Sequence, residues 1–449
     1  MNLKTLLNIF SDNGCNKVYV KKLSANDNSK NQVYFGGSFD VLNILPIKEI
    51  TTDADNKGGG KKTRFKTKLD FYWANDDGQL NVAPEAQLIL YPKYPEVRFS
   101  GFLLRSKDAP SELMAERIPD RLLFLGVSKS VQVIGYVVGP ESSLVKEFAS
   151  LQGIEDVGVF KAITLVAGRI ELDSKGKLLH ELKRINNLGW IDSKRFDAHK
   201  NIFPCSSSNC GGYTLEAELG ITPNGYSEPD YLGWEVKQFA VKEFSKVGTT
   251  AVTLMTPEPT HGFYVDKGVE KFITTYGYND KMGRESRMNF GGIHKYGNTQ
   301  ASTGLRLVLE GYDAIKEKIE NTDGFLGLID SKDNIAASWS FTSLLKHWNT
   351  KHANACYIPS KNRKVANGIF TQQYAYGNLV MMGSKTDFSL FLKEVALGHI
   401  YYDPGIKLEF AIPEVRKQNI KRRSQFRMKA SQLTNLYKEN ETVNLAEIE

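Results

Sequence analysis

The first 165 residues alternate short apolar runs with polar stretches that contain glycine or proline. Runs rich in β-branched and aromatic residues with this punctuation predict strands. They occupy residues 17–23, 32–35, 69–73, 86–91, 96–104, 120–127 and 130–139. Their spacing indicates a closed or half-closed all-β unit. A helix is predicted over residues 141–152, with Ser142 or Ser143 as its N-cap.

The pattern changes further along the chain. GKLLHELKRINNLGW (176–190) has the apolar spacing of a helix, and predicted helices and strands alternate after it. Such a mixture is typical of an α/β or α+β domain. We place the boundary near residues 168–176. The sequence therefore predicts an all-β domain over residues 1–170 and an α/β domain over residues 175–449.

The composition is that of an ordinary globular protein, with 449 residues, 41% hydrophobic and 24% charged. This length suggests two or three domains. No apolar run reaches about 18 residues, so we expect no membrane-spanning segment and no membrane partner. Four cysteines do not make a disulfide framework in a chain this long, which indicates a reducing compartment. Cys205 and Cys210 lack a second Cys/His pair nearby, which disfavours zinc.

The net charge of +7 is compatible with a polyanionic partner but does not require one. A turn at Gly58–Gly60 is followed by a dense run of basic residues. These are Lys61, Lys62, Arg64, Lys66 and Lys68. Such loops contact phosphates and give steep salt dependence, although a charge run is more commonly a solvated hairpin. The surrounding strand pattern favours DNA binding.

Candidate chemistry lies in EPDYLGWEVKQ (228–238). Residues two apart in a strand share a face, so Glu235 and Lys237 are expected to point the same way. A bend at Gly233 can bring Asp230 back beside Glu235. Two convergent carboxylates make the hard oxygen site that Mg²⁺ accepts, and a neighbouring lysine can orient or deprotonate a water.

The same spacing has a blander interpretation. Taken alone, it is more often a solvated strand than a nuclease site. Two features favour the metal site: the strand has apolar flanks, and Glu216 lies just upstream in a predicted helix, YTLEAELGI. A carboxylate in a half-buried sheet is costly unless it is paired, and a metal ion relieves that cost.

The stretch GGYTLEAELGITPNGYSEPDYLGWEVKQ resembles the catalytic core of the MvaI/BcnI family of type II restriction endonucleases. Similar segments include LLHELKRINNLGWIDSKR, AVTLMTPEPT and ASWSFTSLLKHW, so the resemblance covers most of residues 175–440. It implies a monomeric, Mg²⁺-dependent enzyme of the PD-(D/E)xK fold. It also implies that Asp230 and Glu235 hold Mg²⁺, that Lys237 positions the attacking water, and that Glu216 supports the metal site.

Two further segments are expected to contact DNA. ITTYGYNDKMGRESRMNFGGIHKYGN resembles a long basic loop of the family, and Arg284 and Arg287 lie within it. The segment near the C-terminus departs from the family, which usually has histidines before its Phe-Arg pair. This chain has arginines and a glutamine that can read guanine and adenine edges. The candidate residues are Arg422, Arg423, Gln425 and Arg427.

VYVKKLSANDNSKNQVYF (18–35) is similar to the start of an EcoRII-like effector domain, a pseudobarrel related to the plant B3 DNA-binding fold. That resemblance implies two arms that grip the major groove. The first arm would run from Ser24 to Gln32 and include Asn26 and Asp27, although both can equally be turn formers. The second arm would be the basic run that begins at Lys61.

Together these resemblances imply a cytoplasmic, bacterial type IIE restriction endonuclease. The nuclease domain would cut double-stranded DNA at a short site flanked by cytosine and guanine, such as CCWGG, while the N-terminal domain binds a second copy. A methyltransferase would protect the same site. Two alternatives stay open. The N-terminal domain could read a modified base, or the chain could be a DNA-binding regulator with an inert nuclease domain.

Overall fold

The structure is a computed structural model. It describes residues 1–25, 32–52, 64–93, 96–128, 130–166, 169–171, 173–197, 199–207, 209–222, 230–366, 369–410 and 419–448. Within these ranges, no helix is both long and apolar enough to cross a membrane.

The chain divides into two compact units. The first unit comprises Met1–Ala240, Asn349–Thr386 and Glu439–Glu449, and the second comprises Val241–Trp348 and Asp387–Lys438. The units group residues by contact, so each contains segments that are distant in sequence. The division near residue 170 into an effector domain and a nuclease domain therefore stays a prediction from the sequence.

Two antiparallel-rich sheets form the N-terminal part of the first unit, as the alternating pattern predicts. The larger sheet has the strand order Glu155–Val157, Phe160–Val166, Cys15–Leu23, Arg121–Ser128, Gln132–Val138, Asp70–Ala74 and Leu80–Val82, with Arg169–Glu171 also paired to Phe160–Val166. The smaller sheet has the order Gln32–Gly36, Glu96–Ser100, Gln87–Tyr91, Phe65–Lys68 and Ile50–Thr52. Alternate residues of Glu96–Ser100 are buried, because side chains alternate between the faces of a strand.

The α-helices in the described part of this region are Leu3–Asp12, Ser111–Ala115 and Ser143–Ala149, and Phe39–Asn43 is a short 3-10 helix. The predicted N-cap at Ser142 is confirmed, since its hydroxyl accepts a hydrogen bond from the Leu144 amide at 3.3 Å. The first helix was not predicted. Asn2 caps it through the Thr5 amide at 2.8 Å, and its apolar face joins the buried core of the larger sheet.

Arg121 is fully buried at the end of a strand of the larger sheet. Its guanidinium donates to the carbonyls of Leu113, Ile118 and Ser24, the last at 3.2 Å. A buried arginine is tolerated where its donors are satisfied in this way. Arg121 therefore fixes the backbone at Ser24, where the predicted first DNA-binding arm begins.

A mixed sheet with helices packed on one face forms the rest of the first unit, hereafter the central sheet. Its strand order is Ile191–Asp192, Gln372–Tyr376, Asn354–Lys364, Leu379–Ser384 and Glu439–Asn444. The strand Glu235–Ala240, the motif strand, lies parallel to Asn354–Lys364. Lys194–Phe196 and Ile202–Pro204 form a separate hairpin.

The helices Ser174–Asn187 and Cys210–Glu218 cover the central sheet through a shared apolar core. Leu178, Leu182 and Leu215 from the helices meet Val236 and Ile358 from the strands. Both helices were predicted, within a few residues at their ends. Their burial of one sheet face leaves Glu235 and Lys237 on the opposite face, since the parity of the motif strand separates these residues from Val236.

The second unit contains several small antiparallel sheets. Their strands are Ala251–Met255, Phe426–Lys429 and Tyr401–Tyr402; Tyr278–Asn279, Arg287–Gly291, Gly405–Glu409 and Asn419–Lys421; Thr299–Gln300, Leu305–Glu310, Phe325–Ile329 and Ile335–Ser340; and Tyr312–Asp313 with Lys318–Ile319. The helices here are Phe263–Asp266, Gly268–Tyr276, Phe388–Ala396 and the start of Phe341–His352. Trp339 and Phe341 are fully buried, as predicted.

Cys205 and Cys210 are joined by a disulfide, while Cys15 and Cys356 are free and buried. The expectation of a reducing compartment did not include this bond. It closes one short loop directly before the helix Cys210–Glu218. Bonded sulfurs cannot act as thiolate ligands, so the pair in this state does not offer a zinc site.

His294 is fully buried in the second unit, and both of its ring nitrogens are hydrogen-bonded. Nδ1 lies 3.0 Å from the Gly292 carbonyl and therefore carries the proton, so Nε2 accepts from the Thr303 hydroxyl at 2.9 Å. Burial lowers the pKa of His294 to about 4, although its hydrogen bonds to Gly292 and Tyr402 oppose the shift. The residue is a neutral packing element in this environment.

This burial predicts acid lability. Between pH 6.5 and about 4 the unfolded chain binds a proton at this histidine that the folded chain does not, so stability falls as the pH falls through that window. By pH 5 the loss should be roughly 2 kcal/mol. Urea unfolding at pH 8 and pH 5 gives the free energy of unfolding of wild type and of His294→Gln. The difference between the two proteins should be smaller at pH 5 than at pH 8. The exposed His180→Gln should give a constant gap, and a constant gap for His294→Gln would contradict the prediction.

Candidate metal site and DNA-contacting residues

A two-residue turn brings the acidic groups of the motif together. Tyr231 and Trp234 exchange backbone hydrogen bonds at 2.9 and 2.8 Å. Between them Leu232 has φ 47° and Gly233 has φ 91°. Positive φ at both central residues is the signature of a type I′ turn. The predicted bend at Gly233 is therefore present, and it reverses the chain between Asp230 and Glu235.

The turn is locked from both sides. The Asp230 carboxylate accepts a hydrogen bond from the Val236 amide at 2.9 Å, which spans the turn. The Glu235 carboxylate pairs with the Lys237 ammonium at 3.1 Å, and their side chains are only 12% and 14% exposed. The predicted shared face of Glu235 and Lys237 is thus observed as a direct contact. Both groups lie where water has limited access.

Burial raises the pKa of Asp230 to about 7, and the negative charges of Glu235 and Glu216 act in the same direction. The Val236 amide and the Lys237 ammonium oppose that shift. A carboxyl pKa that is raised this far indicates a place where negative charges lie close together and are poorly solvated. A bound cation would relieve that crowding and keep Asp230 ionised.

The donor set suits Mg²⁺ better than a softer metal, because it consists of carboxylate oxygens. Among the residues that the structure describes, no three His, Cys, Asp or Glu side chains form a ready metal cluster. Mg²⁺ is commonly held by one or two carboxylates, with waters and substrate phosphate oxygens as its other ligands. Asp230 and Glu235 supply that number, so the residues fit the ion that the sequence predicts.

The helix that carries Glu216 approaches the motif strand unusually closely. A Cβ atom on Gly211 would lie 2.8 Å from the Gln238 side chain, so the glycine permits the close approach. Tyr376 donates to the Gly211 carbonyl at 2.8 Å, and Gln238 donates to the Ser360 hydroxyl at 2.7 Å. The helix is therefore docked at its first turn, which holds Glu216 near enough to influence Asp230.

Of the predicted first arm, the structure describes Ser24, Ala25 and Gln32, whereas Asn26 and Asp27 lie outside the described residues. The Ser24 carbonyl accepts a hydrogen bond from Arg121. Lys61 and Lys62, in the predicted second arm, also lie outside them.

The remaining basic residues of the second arm are at or beside a strand. Arg64 lies 6.0 Å from the centre of the Tyr91 ring, and Lys66 is paired in register with Thr51. Lys68 forms an exposed ion pair with Glu85 at 3.6 Å. This end of the basic run is ordered sheet rather than loop.

In the second unit, the C-terminal candidates divide into two kinds. Arg427 donates to the Asp403 carboxylate at 2.7 Å and to the Ala251 carbonyl at 2.8 Å. Gln425 is buried and accepts from Arg423 at 3.3 Å. Arg422 and Arg423 are exposed. Arg427 thus has a structural partner set, whereas the two exposed arginines present their charge to solvent.

The two loop arginines also differ. Arg287 is paired with Glu409, and Lys407 reaches the same carboxylate at 3.1 Å. Arg284 is more exposed and lies 3.8 Å from Asp280. Arg284 is therefore the better placed of the two for a phosphate.

Two further basic residues on the central sheet were missed. The strand beside the motif strand continues past it, and its alternation puts Lys361 and Arg363 on the face that carries Lys237. Arg363 stacks 4.4 Å from the centre of the Trp190 ring and donates to Gln373 at 2.6 and 2.9 Å. The basic run SKNRK at a strand end was the available signal.

Comparison with known proteins identifies the family of the chain. The model of the MvaI/BcnI restriction endonuclease family matches residues 179–437, more than half of the chain. The match defines the class of the protein as a site-specific deoxyribonuclease. The chain belongs to the MvaI/BcnI restriction endonuclease family, as the sequence predicts. Its C-terminal part therefore has a restriction-endonuclease-like fold with mixed sheets.

Solved structures that resemble the chain include two of restriction endonuclease MvaI. The complex of restriction endonuclease MvaI with its cognate DNA substrate is 17% identical, covers 59% of this chain and 96% of its own, and has a TM-score of 0.43. MvaI without DNA is 17% identical, covers 60% of this chain and 98% of its own, and has a TM-score of 0.32. No curated protein matches the chain.

The internal partners of Arg427 generate a prediction. Arg427→Met should lower the free energy of unfolding by about 1–2 kcal/mol, because Asp403 and the Ala251 carbonyl lose a charged donor. The exposed Arg423→Met should change stability by less than about 0.5 kcal/mol. Urea unfolding of both variants measures this. Equal stability losses would show that the Arg427 contacts contribute nothing distinctive.

Proposed function

We propose that this restriction endonuclease is Mg²⁺-dependent, with Asp230 and Glu235 as the metal-holding carboxylates. The observation that carries the proposal is the type I′ turn at Leu232 and Gly233, which places two poorly solvated carboxylates and a lysine side by side. A solvated strand would not bury these groups.

The residues have distinct roles in hydrolysis of a phosphodiester. Lys237 orients the attacking water and assists its deprotonation, and water attacks phosphorus in line to leave a 5′-phosphate and a 3′-hydroxyl. Glu216 supports the site by adding negative potential beside Asp230. Mg²⁺ would supply charge stabilisation at the phosphate and the departing oxygen. The Glu235–Lys237 pair keeps the ammonium close to the place where the water must lie.

The N-terminal sheets support a second DNA-binding function, that of a B3-like effector domain in a type IIE enzyme. Strands flank both predicted arms, and the buried Arg121 gives the first arm a fixed base. Binding of a second copy of the site by this domain would then stimulate cleavage. The competing idea is that this domain reads a modified base.

Base reading is assigned to the exposed side of the C-terminal segment. Arg422 and Arg423 are exposed and their guanidinium groups suit guanine edges, whereas Arg427 supports them from within the fold. Gln425 would orient Arg423 rather than act alone. The proposed site is a cytosine- and guanine-flanked sequence such as CCWGG. The enzyme would act as a monomer on two sites, and a companion methyltransferase would modify the same sequence.

Lys361 and Arg363 are proposed to contact the DNA backbone away from the cut. The stack on Trp190 and the bonds to Gln373 hold the Arg363 guanidinium in place before DNA arrives. Pre-ordering a charged side chain lowers the entropy cost of binding. These residues extend the catalytic face of the sheet in the direction of its strands.

Substitutions at the motif test the catalytic proposal. Asp230→Asn should reduce single-turnover cleavage by at least about 10³-fold, because a metal-holding charge is lost. Lys237→Met should reduce it by roughly 10²–10⁴-fold, as expected for a lost proton-transfer group. DNA binding and the melting temperature should be retained. Asp266→Asn and Lys246→Met make the same changes at exposed residues and serve as controls. Cleavage by Asp230→Asn at the wild-type rate with Mg²⁺ would reject the metal site.

The two-site proposal is tested on plasmids with one or two copies of CCWGG, both unmethylated and methylated. Faster cutting of the two-copy plasmid, and stimulation of the one-copy plasmid by a short duplex carrying the site, would support the effector role. Cutting confined to methylated DNA would favour the modified-base alternative. No cutting of any plasmid would favour an inert regulator.

The salt dependence of DNA binding tests the proposed backbone contact of Arg363. Arg363→Met should weaken binding similarly across sequences and lower the slope of log affinity against log salt by about 1, because one phosphate contact is lost. Arg306→Met, at an exposed pair with Asp333, serves as the control. An unchanged slope for Arg363→Met would place Arg363 outside the DNA interface.

A further inference from the structure

A lysine from the N-terminal sheets lies against the turn of the motif. Lys17 belongs to the strand Cys15–Leu23, far from the motif in sequence. A Cβ atom on Gly233 would lie 2.9 Å from both Cε and Nζ of Lys17. The end of the lysine side chain therefore occupies the space that a side chain at position 233 would need. This is a contact between the larger N-terminal sheet and the segment that joins Asp230 to Glu235.

The surroundings of Lys17 are unusual for a lysine. Burial lowers the pKa of its amine, while the negative charge of Glu155 acts in the opposite direction. Glu155 belongs to the same sheet, and it lines one cavity together with Trp234 of the turn. The lysine is thus half-buried between its own sheet and the turn of the motif, whereas most lysine side chains extend into water.

The turn needs external support. Leu232 has φ 47°, a left-handed conformation that costs a non-glycine residue about 1–2 kcal/mol. Such a conformation persists only when its surroundings hold it. The two backbone bonds between Tyr231 and Trp234 act from within the turn, and Lys17 packs against it at Gly233.

We propose that Lys17 is a positioning residue for DNA cleavage. It holds the Leu232–Gly233 turn in the conformation that keeps Asp230 beside Glu235. The N-terminal sheet thereby contacts the segment that positions the catalytic groups. The inference rests on the proposed roles of those two carboxylates. It identifies one side chain through which a change in the N-terminal sheets can reach the site.

The test uses the full chain and single-turnover cleavage measured over a range of Mg²⁺ concentrations. Lys17→Met should slow cleavage about tenfold at low Mg²⁺ and raise the half-saturating Mg²⁺ concentration severalfold, with recovery of rate at high Mg²⁺. DNA affinity and the melting temperature should stay close to wild type. Lys161→Met, at an exposed pair with Asp156 on the neighbouring strand, is the control. A merely structural lysine would change the melting temperature without changing the Mg²⁺ dependence.

A double-mutant cycle approaches the same contact from the turn. Gly233→Ala should also raise the Mg²⁺ requirement, because the new methyl group displaces the lysine and burdens a residue with φ 91°. If the two residues act through one contact, Lys17→Met with Gly233→Ala should be no worse than Gly233→Ala alone. Multiplying effects would overturn the proposal. Gly233→Ala, read by its Mg²⁺ requirement, also provides the test if Lys17→Met fails to fold.

Asp230→Asn separates the two levels of inference. Loss of cleavage in Asp230→Asn, together with a wild-type rate and Mg²⁺ dependence in Lys17→Met, would overturn the role of Lys17 alone. Wild-type cleavage in Asp230→Asn would instead reject the metal site on which that role depends.

Discussion

The proposed catalytic arrangement depends on one tight turn and the hydrogen bond that spans it. Tyr231 and Trp234 pair their backbones, and the Asp230 carboxylate accepts from the Val236 amide. Without the reversal, Asp230 would lie several residues from Glu235 along an extended chain. With it, two carboxylates share a poorly solvated space, which is why the pKa of Asp230 is raised. Lys17 contacts this segment at Gly233, and the charge of Glu216 acts on Asp230.

Local rules were sufficient to predict the core of the candidate site. The period of two in a strand puts Glu235 beside Lys237, and glycine at position 233 permits the left-handed turn. The strands of the N-terminal region and both helices on the central sheet also follow from local patterns. What local rules could not supply is the conformation of Leu232, since a β-turn of this type usually has Asn or Gly there.

Contacts between residues far apart in sequence account for the rest. Arg427 is predicted to contact DNA, and nothing near it in sequence indicates that it also donates to Asp403 and the Ala251 carbonyl. Nothing near Lys17 in sequence indicates that it reaches Gly233, and nothing near Arg363 indicates a stack on Trp190. Each depends on which strands become neighbours. The disulfide of Cys205 and Cys210 was missed because cysteine count alone argued against it.

The strand that continues past the motif has a consequence for substrate length. Tyr357 is in register with Lys237, and Arg363 follows it by six positions along the same strand. At about 3.3 Å per residue, Arg363 lies roughly 20 Å further along the sheet. Duplex DNA advances about 3.4 Å per base pair, so a duplex that lay along this strand and contacted both proposed residues would span about six base pairs between them. A duplex that ended closer than this to the cut would then not reach Arg363, so the sheet would set a minimum length of DNA on that side of the cut.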